Sequence, residues 1–235
     1  MSFNFDFFIN TFFLSLTGAL TTLKITGVTL LLSIPIGFII AVIRIYNIPV
    51  LKNICAVYVS FIRGTPIVVQ ILIIYSAVPS ILAVFFSSIN SSINIFDLNP
   101  IIYAYIVFTL NTIANLSEVF RSALFTVNKG QLEAGQSIGL TNFQTYRRII
   151  IPQALVAAVP NICTTTINLT KSTSLVFLMT VKDITAIAKV EAGFGYNYTE
   201  AYIVVWIIYL LLCSAIEVLF NRFEKRLKVY KLGVN

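Results

Sequence analysis

Long stretches of apolar residues recur along this chain, and charged residues interrupt them only rarely. Hydrophobic residues make up 58% of the sequence and charged residues 11%, whereas an ordinary soluble domain carries about 25% charged residues. A helix of about 20 apolar residues is long enough to cross the hydrocarbon core of a bilayer. The sequence therefore predicts an all-α protein with several membrane spans, excludes disorder and argues against a soluble fold.

Five candidate spans follow from the positions of these apolar stretches. We place them at about residues 18–43, in part of 55–86, and at 101–120, 152–179 and 202–220. The first 13 residues carry Asp6 but neither Lys nor Arg, whereas a cleaved signal peptide begins with a basic region. We therefore expect the N-terminus to be retained, and five spans to place the two termini on opposite sides of the membrane.

The cationic residues predict the orientation, because Lys and Arg accumulate in cytoplasmic segments of membrane proteins. If the C-terminus is inside, eleven of them are cytoplasmic and two, Lys182 and Lys189, are external. The cytoplasmic set is Arg44, Lys52, Arg121, Lys129, Arg147, Arg148, Arg222, Lys225, Arg226, Lys228 and Lys231. We therefore expect an external N-terminus, and a cytoplasmic polar interval between the third and fourth spans. The same rule accounts for the net charge of +7 without a nucleic-acid partner.

The composition also limits the chemistry open to the chain. The absence of His excludes Ser-His and Cys-His catalysis and imidazole metal ligands. The three cysteines match no metal-binding or disulfide pattern, and no Walker motif for ATP occurs. We therefore expect no catalytic residue, no metal and no cofactor in this chain, and any ATP to be bound by a partner subunit.

The polar interval at about residues 128–150 carries the most specific pattern. It resembles the coupling-loop motif of bacterial ABC importer permeases, which reads Glu-Ala-Ala, three residues, Gly, nine residues, Ile, one residue, Leu-Pro. Five residues match at that spacing: Glu133, Ala134, Gly139, Ile149 and Pro152. The chain departs from the motif at Gly135 and Ile151, which stay small and apolar, respectively.

Four further motifs make the sequence similar to the polar amino acid branch of these permeases. They lie at residues 21–23 (Thr-Thr-Leu), 61–66 (Phe-Ile-Arg-Gly-Thr-Pro), 117–121 (Ser-Glu-Val-Phe-Arg) and 171–175 (Lys-Ser-Thr-Ser-Leu). The resemblance implies one transmembrane permease domain over residues 1–235, with about five helices, of the ABC importer type I class. It also implies a multi-pass protein of the bacterial cell membrane, surrounded by lipid. The implied partners are a dimer of cytoplasmic ABC ATPases, a second permease that is the same or a sister chain, and an extracytoplasmic solute-binding protein.

Polar side chains in the third predicted span are candidates for the substrate path, because such groups are costly in lipid. Asn111, Asn115 and Glu118 are separated by four and three residues, so they form one stripe on a helix. The stripe must face protein or water. Glu118 could alternatively stabilise the helix through an ion pair with Arg121, and the sequence leaves both roles open.

The fourth predicted span adds Asn168, Lys171 and Ser172 to these candidates. The neighbouring Thr hydroxyls could bond to carbonyls of their own helix, but the longer side chains of Asn168 and Lys171 point to a cavity at a dimer interface. Relatives often carry Asp or Asn where Ser172 stands, which argues against a cationic substrate. Residues 171–177 look most like those of cystine-type permeases.

We therefore expect a permease subunit of an ATP-driven importer for a polar amino acid, coupled to its ATPase through residues 131–152. The coupling candidates are Glu133, Ala134, Gly135, Gly139 and Pro152, on a short helix that ends near Gly139; the alternative for this segment is a solvated linker. An ion-gradient-driven transporter or channel subunit, with Glu118 or Lys171 carrying the coupling ion, is the alternative function. A membrane enzyme is disfavoured by the missing His.

Overall fold

The computed structural model describes residues 3–89, 95–128 and 130–232. Over these ranges the chain is helical and contains no strand, so the predicted all-α class is confirmed. The α-helices are α1 (Phe5–Thr17), α2 (Ala19–Ile45), α3 (Leu51–Gly64), α4 (Ile67–Ser88), α5 (Ile101–Phe125), α6 (Gly130–Ser137), α7 (Asn142–Thr145), α8 (Ile151–Ser172), α9 (Ile184–Gly195) and α10 (Tyr198–Leu232). A π-helical turn covers Tyr146–Ile150, and 3-10 turns cover Ile95–Asp97 and Thr173–Met179. Lys129 of the predicted coupling loop lies outside the described residues.

Four helical stretches of the described chain are long and apolar enough to cross a membrane. They are Phe5–Ile45, Ile67–Ser88, Asn142–Met179 and Tyr198–Leu227. The other predicted span corresponds to α5, whose 25 residues extend over about 37 Å at 1.5 Å per residue. Polar residues on α5 lower its hydropathy, so the predicted number of five spans is approximate.

The predicted start of the first span was wrong, whereas the second span, Ile67–Ser88, lies within the predicted region except for its last two residues. The first apolar stretch begins at Phe5, because α1 continues into α2 with a break at Gly18. The second predicted region is split into α3 and α4 at Pro66. The residue before a proline is disfavoured in the α conformation, and Thr65 is extended, with φ −116° and ψ 142°.

Helix α5 lies at the centre of the bundle, in contact with α2, α3, α4 and α8. Its Phe108 and Leu116 side chains are completely buried. Gly37 of α2 permits a close approach, because a Cβ atom there would lie 3.1 Å from the Cβ atom of Leu116. Small residues play this part where membrane helices pack. The packing holds the polar stripe of α5 inside the protein.

The remaining helices form a second packed group around α10, which contacts α1, α8 and α9. Gly18 sits where α1 meets α2, and a Cβ atom there would lie 2.6 Å from the backbone of Asp183 and Ile184. Glycine at this position therefore lets the start of α9 approach the α1–α2 junction.

The outward faces of the long helices carry large apolar side chains. Leu31, Val57, Val84 and Trp206 are each at least 65% exposed. Soluble proteins rarely present such extensive apolar surface, so this distribution agrees with lipid as the surrounding solvent.

Candidate functional site

A cavity of about 400 Å³ lies between α5 and α8, beside the junction of α3 and α4. Five of the six residues predicted for the substrate path line it: Asn111, Asn115, Glu118, Asn168 and Ser172. Lys171 does not line it, and its side chain is exposed. The structure thus brings the two predicted polar helices together around one space, and their role in transport stays a prediction.

A chain of amide groups fixes the upper part of the α5 stripe. The buried Gln70 of α4 donates from its side-chain amide to the Ile62 carbonyl over 2.8 Å and accepts from Asn111 Nδ2 over 3.1 Å. Asn115 Nδ2 in turn donates to Asn111 Oδ1 over 3.0 Å. Since buried amides are expensive without partners, this network orients the two asparagines toward the cavity.

Glu118 forms the ion pair that the sequence offered as one role, and its part in the substrate path stays a prediction. Its carboxylate pairs with Arg121 over 2.7 Å on the same helix and with Arg44 at the end of α2, and it also lines the cavity. The Glu118 side chain is 18% exposed. The three groups together carry one net positive charge, and they tie the ends of α2 and α5.

The polar side chains of α8 include two kinds, threonines that bond to their own helix and an asparagine that does not. Thr164, Thr165, Thr166 and Thr170 donate to carbonyls four residues earlier, at distances from 2.8 to 3.2 Å. This is the back-bonding that the sequence offered as an alternative to a polar surface. Asn168 is exposed within the cavity. Thr164 and Thr165 still line the cavity, so back-bonding occupies their hydroxyl hydrogens without removing them from its wall.

Sequence reasoning missed Arg63 as a cavity residue. Arg63 ends α3 and lines the same space as Glu118, so the cavity wall carries charges of both signs. The motif at residues 61–66 contains this arginine, but its position at the edge of a predicted span does not indicate a cavity.

The predicted coupling segment contains a short helix, α6, followed by a glycine in the left-handed region. The Leu140 N–H donates to the Gly135 carbonyl over 3.0 Å and the Gly139 N–H to the Gln136 carbonyl over 2.9 Å. These two bonds form a Schellman motif, with φ of +83° at Gly139. The predicted end of the helix near Gly139 is thus present, and the glycine satisfies the backbone geometry.

Only some of the small residues of α6 face outward. Glu133 and Ala134 are exposed, but Gly135 is buried against α7. A Cβ atom at Gly135 would lie 2.5 Å from Thr145 Cγ2, so its small size serves packing within this chain. The exposed surface instead includes Ile138, 74% exposed. An apolar side chain at this point of a polar segment is the sequence feature that could have indicated an exposed contact surface.

Pro152 lies in the first turn of α8, directly after the π-helical turn. Proline has no N–H to donate to the carbonyl four residues earlier. The change of hydrogen-bond register in the π turn therefore occurs where the regular ladder is already interrupted. Helix α7, the π turn and α8 follow one another without a break.

Comparison with known proteins identifies the family. The profile of the family described as "Binding-protein-dependent transport system inner membrane component" matches residues 33–229. This chain belongs to that family. The family name gives the location, an inner membrane, and implies a binding protein as a partner.

Relatives in this family include named permeases. The L-cystine transport system permease protein TcyL of Bacillus subtilis (strain 168) is 36% identical over 207 residues, which cover 88% of this chain and 84% of the relative. The putative glutamine transport system permease protein GlnP of Rickettsia typhi (strain ATCC VR-144 / Wilmington) is 30% identical over 212 residues, covering 90% and 92%. These relatives are permease subunits of transport systems.

Solved structures show the same fold. A crystal structure of an amino acid ABC transporter with histidines aligns with a TM-score of 0.81 and 27% identity, covering 96% of this chain and 100% of that chain. An inward-facing MetNI methionine ABC transporter aligns with a TM-score of 0.67 and 19% identity, covering 93% and 95%. The predicted type I importer fold is therefore confirmed, and the likeness to ABC transporters implies an ATPase partner.

Proposed function

We propose that this chain is a permease subunit of an ATP-driven amino acid importer and forms, with a second permease, the path for a neutral polar amino acid. The observation that carries the proposal is the cavity between α5 and α8, which combines Arg63, Glu118 and several side-chain amides. Its volume of about 400 Å³ falls in the range of small-molecule sites. The names of relatives, which include cystine and glutamine permeases, support an amino acid as the substrate.

The charges of the cavity favour a carboxylate over an added cation. Glu118 is already compensated by Arg44 and Arg121, whereas Arg63 has no ion pair with another described residue. We assign the substrate α-carboxylate to Arg63, since a guanidinium binds a carboxylate with two parallel hydrogen bonds. The net positive charge disfavours arginine, lysine and histidine, in agreement with Ser172 in place of an acidic residue.

The neutral amides give the substrate side chain its partners. Asn111, Asn115 and Asn168 offer both donors and acceptors, which suits a side chain that is polar but uncharged. Cystine is the first substrate to test, because the sequence at residues 171–177 looks like that of cystine-type permeases.

The exposed face of α6 is proposed to bind the ATPase on the cytoplasmic side. Glu133 lies in the first turn of α6, where its carboxylate is favoured by the helix dipole. Ala134 beside it has a small side chain that permits close approach of a partner, and Ile138 offers an apolar contact. A partner groove that accepts this face could move the two helices that the segment connects.

An ion-gradient mechanism finds less support. The acidic residue considered for such a role, Glu118, is occupied by two arginines. The other candidate, Lys171, does not line the cavity. Neither side chain is thus placed to bind and release a coupling ion along the path.

The test is uptake into proteoliposomes that contain the permease pair, its ATPase and its binding protein. We expect radiolabelled cystine to enter only with ATP and binding protein, and uptake to survive a protonophore while ATP is maintained. The variant Arg63→Gln should lower uptake strongly, whereas Lys52→Gln, about 16 Å away along α3, should not. Uptake that collapses with the protonophore, or that is equal in the two variants, would contradict the proposal.

A further inference from the structure

A second polar cluster lies outside the cavity, where α1, α2, α9 and α10 meet. Its centre is Asp183, which is completely buried although it precedes α9 in a connecting segment. Asp183 Oδ1 accepts from the Ala186 N–H over 2.8 Å, and Oδ2 accepts from the Tyr209 hydroxyl over 3.1 Å. The first bond is an N-cap of α9, but the second oxygen faces a group of hydroxyls.

No cationic side chain pairs with Asp183 among the residues that the structure describes. Burial raises the pKa of its carboxyl group, although hydrogen bonds from the N–H groups of Ala186 and Thr185 and from the Tyr209 hydroxyl act in the opposite direction. Buried charges in proteins are normally paired or bound to a metal ion. The carboxylate therefore lacks a counter-charge that its position demands.

Two hydroxyl groups beside it also lack partners. Thr22 is 0% exposed and Thr185 is 8% exposed, and neither hydroxyl forms a hydrogen bond with a described residue. Both lie close to the Tyr209 hydroxyl, and Thr185 lies close to the carboxylate as well, without the geometry of a hydrogen bond. The Thr173 hydroxyl completes the group at 3.5 Å from Tyr209. Several oxygen atoms thus converge next to one carboxylate.

We propose that Asp183, Tyr209, Thr22 and Thr185 bind a monovalent cation such as Na⁺. Hard cations take oxygen ligands, and a single carboxylate balances a single positive charge, whereas divalent sites generally use several carboxylates. A water molecule would satisfy the hydroxyls but leave the carboxylate uncompensated. A proton would neutralise the carboxylate but leave both Thr hydroxyl oxygens without a partner.

The position of the site gives it a structural role, separate from the substrate path. Thr22 belongs to α2, Tyr209 to α10, and Asp183 with Thr185 to the start of α9. Gly18 brings the Asp183 backbone against the α1–α2 junction, which closes the cluster. A bound cation would hold three helices together, so its release should loosen this part of the bundle and leave the cavity residues in place.

The test is equilibrium binding of ²²Na⁺ to the purified, assembled transporter, with choline replacing Na⁺ at constant ionic strength. We expect saturable binding of one ion per copy of this chain, and a higher unfolding temperature in Na⁺ than in choline. Asp183→Asn retains an N-cap acceptor but should weaken binding at least about tenfold, because the charge interaction is lost. Thr22→Val should weaken binding without changing side-chain volume.

Thr29→Val is the matched control. Thr29 is also 0% exposed on α2 and its hydroxyl also lacks a partner, but it lies two helical turns from Thr22 and should leave binding unchanged. Absence of saturable Na⁺ binding to wild type overturns the proposal. Equal binding by wild type and Thr22→Val does the same, even if Asp183→Asn does not fold. Because no uptake is measured, these outcomes are independent of the proposed transport function.

Discussion

The contact between Gly135 and Thr145 allows a quantitative test of how the coupling segment is built. A methyl group added by Gly135→Ala would lie 2.5 Å from Thr145 Cγ2 and 2.6 Å from its Oγ1. Overpacking of this kind costs about 1–3 kcal/mol, whereas replacing Gly by Ala inside a helix gains about 1 kcal/mol. Because Thr145 is completely buried, it has little freedom to move aside. We expect Gly135→Ala to destabilise the packing of α6 on α7.

A double-mutant cycle isolates the steric cost from the other effects of each change. Thr145→Ala alone removes a hydroxyl that donates to the Thr141 carbonyl over 3.0 Å, and it should also destabilise the segment. In the double variant only the Thr145 Cβ atom remains close, at 3.1 Å, which a small shift can relieve. The two changes should therefore compensate each other by about 1–3 kcal/mol.

Hydrogen exchange measured by mass spectrometry on peptides from residues 130–145 is the assay. The coupling corresponds to about a 5- to 150-fold difference in exchange protection. Gly27→Ala, a helical glycine with no atom within 4 Å of an added Cβ, should leave these peptides unchanged. Unaltered protection in Gly135→Ala, or a coupling below about 0.5 kcal/mol in the cycle, would refute the packing role of Gly135.

Three further predictions concern the path, the coupling surface and the orientation. Glu118→Gln and Asn168→Ala should each alter the kinetics of substrate uptake while normal amounts of permease reach the membrane. Unchanged kinetics in both variants would show that these residues serve helix packing and not the substrate path. Gly139→Asn should retain uptake and ATPase co-purification, since Asn tolerates the left-handed region, whereas Gly139→Trp should abolish transport. Full uptake by the Trp variant at normal expression would contradict the coupling role. A cysteine at the exposed Asn142 should react with an impermeant thiol reagent only from the cytoplasmic side, because the three native cysteines are buried; labelling from outside intact cells would reverse the orientation.

The sequence predicted those parts of the fold that depend on solvent and on local geometry. Long apolar stretches require helices in lipid, and the offsets of Asn111, Asn115 and Glu118 place them on one face whatever surrounds the helix. The end of α6 near Gly139 was also predictable, because few other residues adopt the φ that Gly139 has. These features need no knowledge of distant contacts.

Features that depend on contacts between distant segments could not be predicted. Gly135 faces inward because of Thr145, ten residues away, and nothing in the spacing of the motif indicates that contact. The second partner of Glu118 is Arg44, which lies 74 residues earlier and which the sequence connects only with membrane orientation. The burial of Asp183 could not be predicted because this residue lies in a connecting segment, where a carboxylate is ordinarily solvated.

The connectivity of the segment suggests how movement at α6 could reach the substrate cavity. The two walls of the cavity, α5 and α8, are the helices that the coupling segment joins. A mostly apolar cavity of about 740 Å³ separates parts of this segment from the ends of α2 and α5. The segment is therefore only partly in contact with those two helix ends. On the other side, α7, the π turn and α8 form one continuous helical path. If α6 binds the ATPase as proposed, this path leads from α6 to the α8 wall of the cavity, and the π turn at Tyr146–Ile150 is the kind of feature at which helices bend.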